Sequence, residues 1–451
     1  MGSVERHQYT SKAVDWFNLL FDDILPFCFL AKHTHALSRL IYSLLFYCLL
    51  PFVVLRILWR SLREPLYRQD LAQRFGYAPK ASAEGQIWVH AVSAGESIAA
   101  IPLINALLAR DYRVVVTNMT PTGRERITAA LGDAVVNCYA PWDLPDAVRR
   151  FIRRVRPAKL ILIDTELWPN MIAGASAAGA EIYLVNARLS ARSAHGYGRI
   201  SGLTRRMLQA LSGVGAQSAV QGERFVALGL PAERLTVTGS IKFDAPLPAD
   251  LAEQTTAFRH LFADRYPVTI ASTQPGEEAL IVPSLRAWLP ANPDVLVILA
   301  PRHPHRADSV EQLLLEAGLA VARRSRGDRV TPRIQVYLLD TMGELQYAYA
   351  VSRAAYVGGS LVDVGGHNPM EPAAFGIPVI MGSYLRNIRD IADLFAEAGG
   401  LRIVHTGSEL VALFDLYHKE PEQAAHDGSA AKSVLENNRG ALQASLHMLA
   451  I

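Results

Sequence analysis

The sequence predicts an α/β protein: two Rossmann-like, doubly wound halves with an apolar helix ahead of them. Three observations lead there. From Tyr77 onward, short apolar runs alternate with helical stretches, the pattern of parallel sheets with crossover helices. One proline-punctuated segment without periodicity, SIKFDAPLPAD at 240–250, divides that alternation. Ahead of both lies LIYSLLFYCLLPFVVL at 40–55, sixteen residues without a charge between Arg39 and Arg56.

The 451 residues allow two domains and an appendage, here 1–76 as extension and anchor, 77–240 as the first domain, and 241–451 as linker and second domain. A hydrophobic share of 50% against 19% charged is that of a folded chain. Mean hydropathy of +0.14 is high for a wholly soluble enzyme and points to a membrane segment. The net charge of +3 and the lack of a basic stripe interleaved with aromatics exclude nucleic acid as partner. Cys28, Cys48 and Cys138 lie far apart, which indicates a reducing compartment and no disulfide framework.

At about 1.5 Å per residue, the run at 40–55 covers roughly 24 Å, short of the approximately 30 Å hydrocarbon core. Arg56, Arg60, Arg63, Arg68 and Arg74 follow against Glu64 and Asp70, which places the rest in the cytoplasm by the positive-inside tendency. A buried core helix and a secretory signal are the competing readings; the run begins late for a signal and no small-residue cleavage site precedes the arginines. A second apolar stretch at 13–31, broken by Asp15, Asp22 and Asp23, reads as an interfacial helix or a plain extension.

In the first half, strands are expected at 86–92, 113–118, 135–139, 160–164, 182–186, 214–216 and 235–239. The second half repeats the pattern at 268–271, 295–300, 335–338, 355–357, 379–381 and 401–404. Two such units facing across a cleft make the GT-B arrangement of nucleotide-sugar glycosyltransferases, with the donor held by the C-terminal half. Ligands in open α/β sheets bind beyond the carboxyl ends of the strands.

Chemistry-bearing residues gather at those ends. In AYVGGSLVDVGGHNPMEPAAFGIPVIMG at 355–382, a strand runs into Gly358, Gly359, Gly365 and Gly366. Asn368 follows as an N-cap, Pro369 and Met370 as first-turn residues, and Glu371 on a helix closing at Gly376. Open amides and a helix N-terminus suit a phosphate, and Glu371 suits ribose hydroxyls. The same glycines also read as turn punctuation, with Glu371 as a dipole complement. Pro301 and Arg302 follow the strand at 295–300, Arg302 reading as a cation for a nucleotide; Met342, Gly343 and Glu344 follow the strand at 335–338.

In the first half, Ser93 and Gly95 keep the turn before Glu96 open. Glu96 stands where a general base meets an acceptor hydroxyl, its ionised form favoured by the helix dipole; a cap-and-dipole role fits equally well. Arg124 and Arg188 at strand ends suit an anionic acceptor, or are solvated surface charges. Asp164 and Glu166 are the nearest thing to paired carboxylates. No Asp-x-Asp pair occurs, which favours a donor site without a metal, and no cofactor is expected. P-loop, nucleophile-elbow and dinucleotide fingerprints are absent as well.

HAVSAGE at 90–96, TELWPN at 165–170, NARLS at 186–190, PRHPHR at 301–306, DTMGEL at 340–345 and the long glycine-rich motif at 358–382 resemble the 3-deoxy-D-manno-octulosonic acid (Kdo) transferases of lipopolysaccharide synthesis. The resemblance covers about 37 to the C-terminus, and the extension at 1–36 has no family role. It implies a GT-B enzyme of the bacterial inner membrane, with its catalytic domains on the cytoplasmic side, moving Kdo from CMP-Kdo to the lipid A precursor with inversion. By the same resemblance Glu96 matches the catalytic base. Pro301, Arg302, Met342, Gly343, Glu344, Asn368, Pro369, Met370 and Glu371 match CMP-Kdo contacts, and 40–55 matches the anchor. Under it, the departing phosphate is stabilised by the glycine-turn amides with Arg302 assisting. A GT-B enzyme using a UDP-sugar, a sugar-nucleotide 2-epimerase and a tethered binding module that has lost catalysis are the other readings.

Overall fold

Every strand pairing in both sheets is parallel, so all strands of a sheet deliver their following loops to one edge. The computed structural model describes residues 35–62, 64–80, 85–244 and 247–451. The stretch at 13–31, Arg63 and Cys28 fall outside the described residues.

The first sheet comprises β1 (Gln86–His90), β2 (Val114–Asn118), β3 (Val136–Tyr139), β4 (Pro157–Ile163), β5 (Glu181–Ala187), β6 (Gly213–Ala216) and β7 (Leu235–Val237), in the order β3-β2-β1-β4-β5-β6-β7. The second comprises β8 (Tyr266–Thr273), β9 (Val295–Pro301), β10 (Val321–Arg323), β11 (Val336–Leu338), β12 (Ala355–Val357), β13 (Val379–Gly382) and β14 (Leu401–Val404), in the order β10-β11-β9-β8-β12-β13-β14. Strands covered on both faces need apolar residues throughout, and β1 and β9 are buried at every position. Each expected strand is present. The one missed is β10, a three-residue edge strand reading VAR, too short and too polar to stand out.

The chain divides into two compact units. The first ends at Ala245 and includes Arg439–Ile451; the second is Pro246–Asn438. The C-terminal segment, expected in the second domain, thus packs with the first: Ala441, Leu446 and Leu449 join the core that holds Val89, Ile161 and Val185. Asp244 fastens it by accepting from the amides of Gly440 (2.7 Å) and Leu442 (2.6 Å).

The N-terminal helix is longer than its uncharged run, spanning 27 residues from His35 to Ser61. At 1.5 Å per residue that is about 40 Å, enough to cross a bilayer, which revises the marginal length read from 40–55. One stripe, Phe46, Leu50, Val53, Val54 and Ile57, packs on Trp142, Leu144 and Ala147 of the first unit. Ser43 is tied to the buried Asn170 side chain (3.0 Å). The opposite stripe of Leu40, Leu44, Phe52, Leu55 and Trp59 is exposed.

Beside the carboxyl end of β12 the backbones approach closely: a Cβ built on Gly382 would lie 2.1 Å from the Ser360 carbonyl oxygen. Gly382→Ala must therefore move backbone, and thermal unfolding should show it destabilised by about 1–3 kcal/mol.

Candidate active site

Strand order makes the loops after β2, β1, β4 and β5 neighbours at one edge of the first sheet. Ser93 caps the helix Ala94–Leu108. Its Oγ accepts from the Glu96 amide (3.4 Å) and donates to Glu96 Oε1 (2.8 Å), while Oε2 accepts from the Val92 amide (2.6 Å). This is a capping box, so the cap reading of Glu96 is realised. Its environment does more: burial, then the charge of Asp164, push the Glu96 carboxyl up to about 7, against the three hydrogen bonds, from the Ser93 side chain and the Val92 and Ser93 backbone, that lower it. The dipole does not hold it low as expected; desolvation and a like charge win.

Asp164 and Glu166, on the loop after β4, complete a group of three carboxyls. Burial and Glu96 raise Glu166 to about 8, and Trp168 Nε1 donates to it at 2.7 Å. Asp164 sits in the left-handed region (φ +59°), and Asn186 donates to its Oδ1. Asn186, itself at φ +61°, accepts through Oδ1 from Ser240 Oγ (3.0 Å) and the Ile241 amide (3.2 Å). Sequence reading noticed Asp164 and Glu166 but did not join them to Glu96. Adjacency of β1 and β4, the usual switch of a doubly wound sheet, is the signal that would have done so.

Gly95 faces open space, its built Cβ meeting nothing nearer than Ser93 Oγ at 3.9 Å. Arg124 is already engaged, ion-paired to Asp70 (2.6 Å) and lying over the Tyr139 ring. Arg188 is exposed and bonded through its backbone to Thr165 Oγ1 (3.2 Å), next to the Glu166 loop. His90 is structural: buried against Trp168 and Thr117, it is pushed down to about 3 by burial and stays neutral.

In the second unit the loops after β11, β9, β8 and β12 are neighbours in the same way, which gathers 340–344, 301–306, 274–277 and 358–371. Pro301 ends β9 beside Thr273. The Arg302 guanidinium has no hydrogen-bond or ion-pair partner among the described residues; its charge acts on His367 and Glu371. Burial raises Glu371, whose Oε1 accepts from Asn368 (3.3 Å). Asn368 Oδ1 accepts from the Met370 amide (3.0 Å), but the N-cap of the one-turn helix Met370–Ala373 is Pro369 and not Asn368 as expected, and the helix is shorter than the expected run to Gly376. Met342 is exposed, Gly343 takes φ +87°, and Glu344 is held low by its bonds to Arg324. His367 and Gln274, given no role by sequence reading, lie 3.0 Å apart beside this group.

The glycine-turn amides are not open. Gly358 donates to the Ala271 carbonyl (2.8 Å), and Gly365 and Gly366 donate to that of Gly359 (3.1 and 2.6 Å). Gly359 donates to the Glu277 carboxylate (2.7 Å). An internal anion occupies the cradle expected to take a phosphate. Among the described residues of these loops, the Arg302 guanidinium is left without an internal partner.

The two sheets define the GT-B fold class. The crystal structure of UDP-GlcNAc 2-epimerase from Neisseria meningitidis bound to UDP-GlcNAc covers 81% of this chain and 99% of that one at TM-score 0.56; at 14% identity the likeness is one of fold. The family described as 3-deoxy-D-manno-octulosonic-acid transferase (kdotransferase) matches residues 69–245. The 3-deoxy-D-manno-octulosonic acid transferase of Haemophilus influenzae is 40% identical over 91% of this chain and 98% of its own length. That of Bordetella pertussis is 38% identical over 92% and 99%. The chain belongs to the Kdo transferase family and is a Kdo transferase enzyme.

If transfer needs Glu96 ionised, kcat/KM rises with pH through about 7 and is lost below it. Asp164→Asn keeps the Oδ1 acceptor and suits the left-handed backbone, so its pH–rate midpoint should move down by roughly 0.5–1 unit. Because Glu96 and Glu166 hold their protons longer folded than unfolded, stability should fall as pH climbs from 4.5 to about 8, and Glu166→Gln should flatten that loss in thermal melts.

Proposed function

We propose that this chain moves Kdo from CMP-Kdo to the lipid A precursor in lipopolysaccharide synthesis, inverting the anomeric carbon, with Glu96 as general base. The observation that carries the reading is Glu96 itself, a strand-end carboxyl raised to about 7, where it is half ionised near neutrality and strong enough to take a proton. Family membership supplies the transferred sugar. As the bond from the anomeric carbon to the CMP oxygen breaks, the acceptor hydroxyl oxygen forms a new bond to that carbon and its proton passes to Glu96. The phosphate of CMP gains charge as it leaves. Arg302, unpaired among the described residues, is the group that meets it, with Asn368 to Glu371, Met342 to Glu344 and Pro301 lining the nucleotide. Gly95, Ser93, Arg188 and Arg124 border the acceptor side.

Purified protein incubated with CMP-Kdo and the tetraacylated precursor should give the Kdo-bearing lipid by mass analysis, at a rate a chelator leaves unchanged. Glu96→Gln should lower kcat by about a hundredfold or more. Lipid mass unchanged in the wild-type reaction removes the donor and acceptor assignment; an undiminished Glu96→Gln rate removes the base.

The helix His35–Ser61 fits a membrane anchor on the cytoplasmic face of the inner membrane. Since a stripe of it lies on the first unit for three turns, we read it as immersed in the leaflet by its outer face and not wrapped by lipid along its length. Replacing Phe52, Leu55 and Trp59 together by serine should weaken vesicle binding by about a hundredfold or more in flotation assays.

A further inference from the structure

Glu277 and Glu278 are both buried, side by side at the start of the helix Glu277–Trp288 that follows β8. Adjacent helical residues point about 100° apart, so the two carboxylates serve different neighbours. Glu277 accepts five hydrogen bonds: Oε1 from Tyr356 Oη (2.6 Å) and the amides of Ser360 (3.0 Å) and Leu361 (2.9 Å), Oε2 from those of Gln274 (2.8 Å) and Gly359 (2.7 Å). Every donor is neutral. Such saturation is what a buried carboxylate needs in the absence of a cation, and the row of loop amides is an anion nest filled from within. The Gly359 carbonyl in turn closes the loop on itself through Gly365 and Gly366, and the Gly358 carbonyl accepts from His367 (3.1 Å). At Gly359 only glycine serves, with φ +68° and a built Cβ 2.9 Å from His367 Cδ2.

Glu278 works on the other loop. It accepts from Thr273 Oγ1 (2.7 Å) and forms an ion pair with Arg306 (2.8 Å), which also donates to the Thr273 carbonyl (3.0 Å). Arg306 ends the turn that begins at Arg302, whose own amide donates to the same carbonyl (3.0 Å).

We infer that Glu277 and Glu278 are positioning residues of the donor site: one helix start, through two carboxylates, sets the loop carrying His367 to Glu371 against the turn carrying Arg302. Glu277 also keeps the leaving phosphate off the glycine amides, so that the phosphate meets Arg302. The inference rests on the reading that these loops hold the CMP group.

The test uses the full chain, calorimetric CMP binding, and separate KM values for donor and acceptor. Glu277→Gln turns one acceptor oxygen into a donor facing amide donors. CMP binding should weaken by about tenfold or more and the donor KM rise with it, while the acceptor KM stays put. Glu278→Gln should act in the same direction. Arg302→Ala separates the two ideas. Wild-type CMP affinity in Arg302→Ala removes the donor reading itself. Weakened binding there, with wild-type binding in folded Glu277→Gln, overturns the positioning role alone. An equal rise of both KM values also overturns it, since general loosening is not selective. If Glu277→Gln does not fold, Tyr356→Phe decides: it withdraws one donor and keeps the ring, so CMP binding weakened by about two- to fivefold supports the inference and an unchanged value overturns it.

Discussion

A carboxylate removed from water must find donors or give up its charge, and this enzyme places carboxylates at the loop-bearing edge of both sheets. The outcomes differ. In the second unit Glu277 is satisfied by five neutral donors and becomes part of the scaffold. In the first unit Glu96, Asp164 and Glu166 face one another with too few donors, so proton affinity rises at Glu96 and Glu166. The same residue type is therefore a saturated carboxylate in the second unit and a carboxyl of raised proton affinity in the first. At Glu96 burial and a like charge outweigh the donors.

The parallel architecture was plain in the sequence because strands buried on both faces leave uninterrupted apolar runs such as LILI in β4 and VLVILA in β9. Local sites were plain too: Ser93 and Glu96 announce a capping box by their spacing alone. What escaped depended on contacts distant in sequence. Glu166 meets Glu96 only because β1 and β4 are neighbours, and no local pattern states strand order. The glycines at 358–366 correctly announced an anion nest but not its occupant, since a side-chain carboxylate from another loop and a ligand phosphate ask for the same amides. Gln274 to Glu278, GEE after a strand, carried no motif and drew no notice.

The N-terminal helix shows why an uncharged window understates a membrane element. Arg39, Arg56 and Arg60 all lie inside the helix, where long side chains reach water while their stems cover apolar surface. Its two apolar stripes face different surroundings. One is matched by Trp142, Leu144 and Ala147, and the other is exposed. The tie from Ser43 to Asn170 brings this helix to the segment that follows Trp168, and Trp168 donates to Glu166. The apolar helix and the buried carboxyls thus meet through one short stretch of chain.

The return of Arg439–Ile451 to the first unit has a consequence for how the molecule is made. Ala441, Leu446 and Leu449 fill part of the core beneath the first sheet, yet they are translated after the whole of the second unit. On the ribosome the first half must wait, incompletely packed, while a later half is already free to fold, so the order of maturation runs against the order of synthesis.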